Sequence, residues 1–340
     1  MSDWHSIPVE LKHRRFLERL SLLLIENVFQ GVNRAEPVLR WRDPIHISEI
    51  ISFESRYEPK SQDVILELVK KVFKYSVKTG HPYFMNHVYT ESRILRTDWI
   101  LTDWLKCWVC FTARTQQAMV YSALVDPMPM NCGISGLHLV IFASEDAHYS
   151  VFKWANMCGI GEKNVVLIAT DECGRMDTHN LEVNILKEKE RGKIGFMVSA
   201  TAGTTVLGAI DPLDEIAELC EKYNMWFHVD AAWGGGLIFS NKHRALLQSI
   251  NRADSIAFNP HKLLAVPQQC SILLTKHSEI LEAANSRKAS YLFQKDKFYP
   301  ADLDVGDKYM QCGRRPDVLK FWIMWQAKVK GILKQFMFGL

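Results

Sequence analysis

The chain has 340 residues, of which 48% are hydrophobic and 23% are charged, a composition that suits one large globular domain plus a smaller one. Its net charge of +3 is small for this length and argues against nucleic-acid binding, which needs a basic stripe. A polar start without a signal-peptide core, the lack of any run of about 18 apolar residues, and eight scattered cysteines together predict a cytoplasmic protein that does not enter a membrane.

The two halves of the chain carry different hydrophobic patterns. Apolar residues recur at helical spacing over 16–32 and 61–78, which predicts two amphipathic helices. From residue 137, short and nearly continuous apolar runs are typical of strands covered on both faces. These runs lie at 137–143, 164–170, 194–200, 225–230, 255–259 and 270–275. Helix-like stretches between them, at 178–189 and 212–223, predict an α/β sheet with helices on both faces. Asp211-Pro212 is interpreted as the cap and first-turn pair of the second stretch.

Residues 90–136 fit neither pattern. Three tryptophans fall within ten residues, and the apolar positions are neither helical nor alternating. One interpretation is a buried helix around 97–112, and the other is that the stretch is not the natural sequence of the fold. Cys107 and Cys110 form a lone CxxC without a second pair, which favours incidental thiols over a metal or redox site.

An acid and an amine follow two different predicted strands. Asp230 ends the run 225–230, and Lys262 follows the run 255–259. A carboxylate and an amine that lie at the ends of two strands in one cleft are the arrangement needed to hold pyridoxal phosphate (PLP). The lysine forms the Schiff base and the aspartate pairs with the protonated pyridine nitrogen. A partly buried carboxylate needs such a positive partner, and burial lowers the pKa of an amine.

Other candidates flank this pair. His148, after the first strand of the sheet, could lie flat on the pyridine ring or be a hydrogen-bonded structural histidine. Thr205 follows small residues that let the backbone approach a flat cofactor, and its hydroxyl can donate a hydrogen bond. Ala232 leaves room beneath the ring, whereas Asn259 and His261 can reach the phosphate.

Long segments now show a resemblance to the group II PLP-dependent amino-acid decarboxylases, in the glutamate, cysteine-sulfinate and aspartate 1-decarboxylase branch. They are SATAGTTVLGAIDPLDEIAELC, WFHVDAAWGGG, NPHKLLAVPQQCSILL, ASYLFQKDKFY and GDKYMQCGRRPDVLKFWIMW. The resemblance implies the type I (aspartate aminotransferase-like) fold, with a mixed, mostly parallel sheet between helices, and a homodimer with active sites at the interface. It divides the chain into an N-terminal helical segment (1–89), an atypical segment (90–136), a PLP-binding large domain (137–328) and the start of a C-terminal domain (329–340).

The resemblance also implies roles for individual residues. Lys262 carries the Schiff base, Asp230 holds the pyridine nitrogen and His148 stacks on the ring. Tyr291 matches a mobile-loop tyrosine that reaches the neighbouring subunit and protonates the substrate Cα after CO2 leaves. Residues that line the cofactor by resemblance are Thr205, Ala232 and Asn259.

Substrate choice depends on two positions. His87 follows Asn86 where the family often has Asn-Gln, and Gln268 stands where glutamate-specific relatives tend to have leucine. The extra amide suits a shorter acidic side chain, and the segment most resembles insect aspartate 1-decarboxylases. We therefore expect conversion of aspartate to β-alanine, with cysteine sulfinate and glutamate as the next candidates.

Two parts of the family pattern are missing. No Pro-Gly-Gly-Ser-type phosphate loop lies between Tyr89 and the strand before His148, and the chain ends at 331–340, where the C-terminal domain should begin. Arg314 and Arg315 are not equivalents of that domain's arginine for the substrate carboxylate. Two function classes stay open: an active lyase, or a non-catalytic homologue that binds a decarboxylase subunit. Because both parts are missing, we expect weak PLP affinity and little turnover from this chain.

Overall fold

The computed structural model describes residues 9–51, 59–78, 81–84, 136–294, 296, 305–308 and 317–336. The chain divides into two compact units, one formed by 1–99 with 322–332 and the other by 100–321 with 333–340. The α-helices and strands in chain order are α1 (Val9–Gly31), α2 (Pro44–Ile51), α3 (Gln62–Tyr75), β1 (Leu139–Ser144), α4 (Ser150–Met157), β2 (Val165–Ile168), α5 (Thr178–Glu190), β3 (Ile194–Thr201), α6 (Leu213–Tyr223), β4 (Trp226–Ala231), β5 (Ser255–Phe258), β6 (Ile272–Thr275), α7 (Ile280–Asn285) and α8 (Asp317–Phe336).

The first unit confirms both predicted N-terminal helices. α3 begins where Ser61 Oγ accepts a hydrogen bond from the Val64 N–H at 3.4 Å, which satisfies one of the unpaired amides of the first turn. α1 begins earlier than predicted, at Val9, and leaves much of its apolar surface exposed. The buried side of α3 consists of Ile65, Leu66, Leu68 and Val69.

Among the described residues, the second unit contains a six-stranded sheet in the order β2-β1-β3-β4-β5-β6. Neighbouring strands from β2 to β5 pair in parallel, and β6 runs antiparallel to β5. The predicted mixed, mostly parallel sheet is therefore confirmed. The chain leaves β1 towards β2 on one side and returns to β3 on the other. Such a reversal of strand order opens a crevice at the carboxyl ends of the strands, where α/β proteins bind ligands.

Both faces of the sheet are covered, as the continuous apolar runs predict. Val140 and Phe142 of β1 pack in one core cluster with residues of α5 and α6. Leu139 and Ile141 belong to a second cluster that includes Trp154 of α4. Alternate residues of the strand thus bury against different helical layers. The prediction fails at β6, where Leu274 is exposed because this strand lies at the edge of the sheet.

The predicted cap at Asp211 is wrong. α6 begins at Leu213, and its cap position is Pro212, which has no side-chain hydrogen bond. The buried Asp211 carboxylate instead accepts hydrogen bonds from the Met176 N–H at 2.8 Å and the Thr201 N–H at 2.7 Å. Two buried amides need an acceptor, and this carboxylate satisfies both. Asp211 thereby ties the end of β3 to the turn before α5.

Several sequence predictions fall outside the described residues. They concern the helix around 97–112, the CxxC at Cys107 and Cys110, and His87. Within the described ranges, no helix is long and apolar enough to cross a membrane, and no group of three or more acidic, histidine or cysteine side chains could hold a metal ion. The described cysteines are free thiols: Cys158, Cys173, Cys220 and Cys270.

Candidate active site

Several predicted site residues lie together at the carboxyl-terminal end of the central strands. Asp230 on β4 is the register partner of Thr201 on β3 and of Ala257 on β5. His148 lies in the turn after β1, and Asn259 directly follows β5. Because β1, β3, β4 and β5 are parallel, the residues that follow these strands all leave the sheet at its carboxyl-terminal end.

Asp230 is half-buried near the end of β4. The Ala232 N–H donates to Asp230 Oδ1 at 3.0 Å, and the Asp230 carbonyl accepts from the Ala202 N–H at 2.9 Å. The backbone is therefore fixed by β3, and one carboxylate oxygen is fixed by the turn that follows. Ala232 contributes its N–H as well as its small side chain.

Lys262 lies in a tight turn after β5. Its N–H donates to the Asn259 carbonyl at 2.9 Å, and its own carbonyl accepts from the Ala265 N–H at 3.1 Å. Burial lowers the pKa of the Lys262 amine, and the Asp230 carboxylate opposes that shift. The carboxylate of Asp230 therefore acts on the amine of Lys262. A lowered pKa increases the fraction of neutral amine, which is the nucleophilic form.

His148 belongs to the same electrostatic environment. Burial lowers its pKa; the Asp230 carboxylate raises it, and the Lys262 and Lys153 ammonium groups lower it. The ring orientation is set by Ser150, whose N–H donates to Nδ1 at 3.2 Å and whose Oγ lies 2.9 Å from Nδ1. His148 is thus a hydrogen-bonded histidine that also lies near the acid and the amine.

The residues beside Lys262 shape its turn. Asn259 is buried, and its carbonyl accepts the Lys262 N–H. His261 Nδ1 lies 2.6 Å from the Cys270 carbonyl oxygen and 3.2 Å from the Cys270 amide nitrogen. This nitrogen of His261 therefore holds the main chain at the far end of the loop 263–269.

Three other predicted site residues are exposed. Thr205 is exposed, whereas the preceding Thr204 is buried and its Oγ1 accepts the Ala209 N–H at 3.0 Å. Gln268 is exposed in the loop after Lys262, and Tyr291 is 69% exposed in a turn after α7. Their roles stay predictions.

A family model matches more than half of this chain. Residues 126–337 match the family model described as the pyridoxal-dependent decarboxylase conserved domain. The chain belongs to the pyridoxal-dependent decarboxylases.

Two curated relatives of this decarboxylase come from Mus musculus. The mouse cysteine sulfinic acid decarboxylase is 39% identical to this chain over 347 residues, which cover 90% of this chain and 70% of the relative. The mouse acidic amino acid decarboxylase GADL1 is 40% identical to this chain, and the match covers 92% of this chain and 64% of that protein.

Solved structures share the fold. The crystal structure of mouse CSAD in apo form is 35% identical, with a TM-score of 0.62 over 96% of this chain and 76% of that chain. Oryza sativa TDC, solved with PLP and tryptamine, is 21% identical with a TM-score of 0.61, covering 98% of this chain and 77% of that chain. The type I fold is thereby confirmed, and the decarboxylase is a PLP-dependent carboxy-lyase.

The residues present fit PLP, the cofactor of this family. Lys262 offers a half-buried amine of lowered pKa, Asp230 a carboxylate for a protonated ring nitrogen, and His148 a flat ring near both. Close packing of the protein itself, and not only the approach of a flat cofactor, requires a small residue after β3. A Cβ on Gly203, whose φ is +97°, would lie 2.9 Å from the Gly234 amide nitrogen. Gly203 is therefore required by close packing of two turns, whether or not a cofactor is bound.

Sequence reasoning missed two polar residues of the decarboxylase beneath Asp230. His228 and Ser255 are buried, and His228 Nδ1 lies 2.9 Å from Ser255 Oγ. The sequence alone could have indicated His228, because it lies two residues before Asp230 in the predicted strand 225–230, and residues two apart on a strand share a face. Ser255 gave no such signal, since its pairing with His228 depends on the order of β4 and β5.

Proposed function

We propose that this chain holds PLP through Lys262, Asp230 and His148 and releases the α-carboxylate of an acidic amino acid as CO2. The observation that carries the proposal is that Asp230 near the end of β4, Lys262 in the turn after β5 and His148 in the turn after β1 lie at the carboxyl ends of parallel strands. The pKa values of Lys262 and His148, both lowered by burial and raised by Asp230, support it. Support for the substrate class comes from the names of the relatives, cysteine sulfinic acid decarboxylase and acidic amino acid decarboxylase.

Each residue of the cluster has a separate task. The Lys262 amine, whose pKa burial lowers, would hold the cofactor covalently. Asp230 would hold the protonated pyridine nitrogen, because a carboxylate stabilises a positive charge there. His148 presents a flat ring whose lowered pKa favours the neutral form. When bound, PLP supplies an electron sink for the pair of electrons left by the departing carboxylate.

The remaining roles come from the family pattern. Tyr291 delivers a proton to the substrate Cα from a neighbouring copy in a homodimer, and its 69% exposure leaves the hydroxyl accessible to a second chain. Four residues line the cofactor: Thr205, Ala232, Asn259 and His261. His87 and Gln268 contact the distal end of the substrate. We propose aspartate as the substrate, ahead of cysteine sulfinate and glutamate, and a PLP-binding domain at 137–328.

A covalent label tests the site independently of turnover. Borohydride reduction of the PLP-loaded protein, followed by peptide mapping, should place the label on Lys262. Labelling of another lysine would overturn the assignment. CO2 release from aspartate, cysteine sulfinate and glutamate should then be compared on the same preparation. Specific label at Lys262 with no release from any of the three would favour the non-catalytic homologue.

A further inference from the structure

Three side chains of β4 form a column on one face of the sheet. Trp226, His228 and Asp230 are two residues apart and therefore point to the same side, opposite to Phe227 and Val229. Phe227 and Val229 pack in the core cluster that includes α5 and α6, whereas Trp226 belongs to the cluster that includes α4. Asp230 is half-buried at the top of the column, and His228 below it is only 2% exposed.

A single hydroxyl on the neighbouring strand holds the lower part of this column. Ser255 of β5 is the register partner of His228 and is itself buried. The indole Nε1–H of Trp226 donates to Ser255 Oγ at 2.8 Å, and His228 Nδ1 lies 2.9 Å from the same oxygen. Rotation of the imidazole would break a buried polar contact, which is costly where water cannot replace it.

The charge of Asp230 acts on the buried imidazole. Burial lowers the pKa of His228 to about 4, and the Asp230 carboxylate opposes that shift. His228 is therefore neutral near pH 7, and it lies on the same face of β4 as the carboxylate, two residues away. The Ala232 N–H holds one carboxylate oxygen of Asp230.

We infer that His228, held by the Ser255 hydroxyl that Trp226 also contacts, is a positioning residue that orients the Asp230 carboxylate towards the pyridine nitrogen of PLP. This inference rests on the proposed role of Asp230. His228 touches neither cofactor nor substrate and acts through Asp230 alone. The effect of changing His228 or Ser255 must therefore depend on whether residue 230 carries its carboxylate.

A double-mutant cycle in the full chain tests that dependence. The four proteins are the parent, His228→Gln, Asp230→Asn and the double variant, and PLP affinity is measured by equilibrium dialysis. We expect His228→Gln to weaken binding roughly tenfold in the parent and by less than about twofold in the Asp230→Asn background, because coupled residues are not additive. With 15N-labelled PLP, the pyridine nitrogen resonance should move in His228→Gln in the same direction as in Asp230→Asn.

Two further variants separate positioning from folding. Ser255→Ala removes the shared hydroxyl with little change in volume, and it should reproduce the loss seen in His228→Gln. If His228→Gln does not fold, the PLP affinity of Ser255→Ala alone tests the positioning role of His228. His81→Gln is the matched control, since His81 is a buried histidine with main-chain partners, Asn33 O at 3.1 Å and Tyr83 N at 3.1 Å, in the first unit. It should leave PLP affinity unchanged.

The outcomes are distinct. Additive losses in the cycle, or losses in Ser255→Ala no larger than in His81→Gln, would overturn the positioning role and leave the role of Asp230 intact. An Asp230→Asn variant that binds PLP as tightly as the parent, with an unmoved pyridine resonance, would overturn the proposed role of Asp230 and this inference together.

Discussion

Burial lowers the pKa of the Lys262 amine, and the Asp230 carboxylate raises it. Asp230 lies near the end of β4 and Lys262 in the turn after β5, and these two strands are neighbours in the sheet. A lowered pKa increases the fraction of neutral, nucleophilic amine, and replacing the acid should therefore change the behaviour of the lysine.

The pH dependence of Lys262 should differ from that of an exposed lysine. In the cofactor-free protein, its modification by acetic anhydride should reach half-maximal rate at lower pH than that of a lysine in a short unstructured peptide, because burial lowers its pKa. Asp230→Asn removes the group that raises the pKa of Lys262, so the midpoint should move lower still. Mass spectrometry of peptides after timed labelling measures the midpoint of Lys262 in both proteins and in the reference peptide. Equal midpoints for Lys262 and the reference peptide would contradict the buried site.

Lys262→Ala should abolish the visible absorbance of protein-bound PLP. The amine is the attachment point, and no side chain of similar chemistry replaces it. Lys276→Ala, an exposed lysine on the antiparallel edge of the sheet, serves as the control and should retain the band. A band that survives Lys262→Ala would show that another amine holds the cofactor.

Asp230→Ala should reduce CO2 release far more than Asp230→Glu. Alanine leaves the ring nitrogen without a charged partner, whereas glutamate keeps the charge at a shifted position. Each tenfold loss in rate corresponds to about 1.4 kcal/mol, and we expect several such factors for alanine. Single-turnover CO2 release at saturating PLP compares the two. Near-parent rates in Asp230→Ala would contradict the role of the carboxylate.

Tyr291→Phe should reduce turnover without weakening PLP binding. The hydroxyl is proposed to move a proton to the substrate Cα, a step worth roughly 100-fold to 10,000-fold. Because Tyr291 is exposed, its loss should leave thermal stability unchanged. Incorporation of deuterium from solvent at Cα of the product provides a second readout. Unchanged turnover in Tyr291→Phe would assign that proton to a different group.

Asp211 should make stability depend on pH. Burial raises its pKa to about 6, although the N–H groups of Met176 and Thr201 oppose the shift. The folded state therefore binds this proton more tightly than the unfolded state, in which the pKa is near 4. The stabilising contribution of protonated Asp211 is complete below about pH 4 and is lost as pH rises through about 6.

Asp211→Asn tests the sign of this effect. The parent should lose up to about 3 kcal/mol relative to the variant between pH 4 and 7, from a shift of about two pKa units. The variant also leaves one of the two amides without an acceptor, a cost of about 1–3 kcal/mol at every pH. Urea unfolding of both proteins across this pH range measures their difference in unfolding free energy. The part of this difference that changes with pH comes from the titration of Asp211, and the constant part comes from the unpaired amide. A difference in unfolding free energy that does not change with pH would contradict the raised pKa of Asp211.

The sequence by itself determined the local elements and much of the chemistry. Runs such as 194–200 and 225–230 predicted buried strands correctly, because a strand covered on both faces must be apolar throughout. Asp230 and Lys262 were recognisable because a carboxylate and an amine next to such runs need partners. The weak PLP affinity expected from residues 90–136 stays a prediction.

Tertiary structure alone decided which distant residues meet. The pairing of His228 with Ser255 follows from β4 lying beside β5, and no local pattern specifies strand order. Asp211 was mistaken for a cap because its true partners, Met176 and Thr201, are distant in sequence. Thr204, rather than Thr205, is buried because the hydrogen bond to Ala209 closes the turn. Periodicity records which face of an element is buried, whereas long-range packing decides what that face contacts.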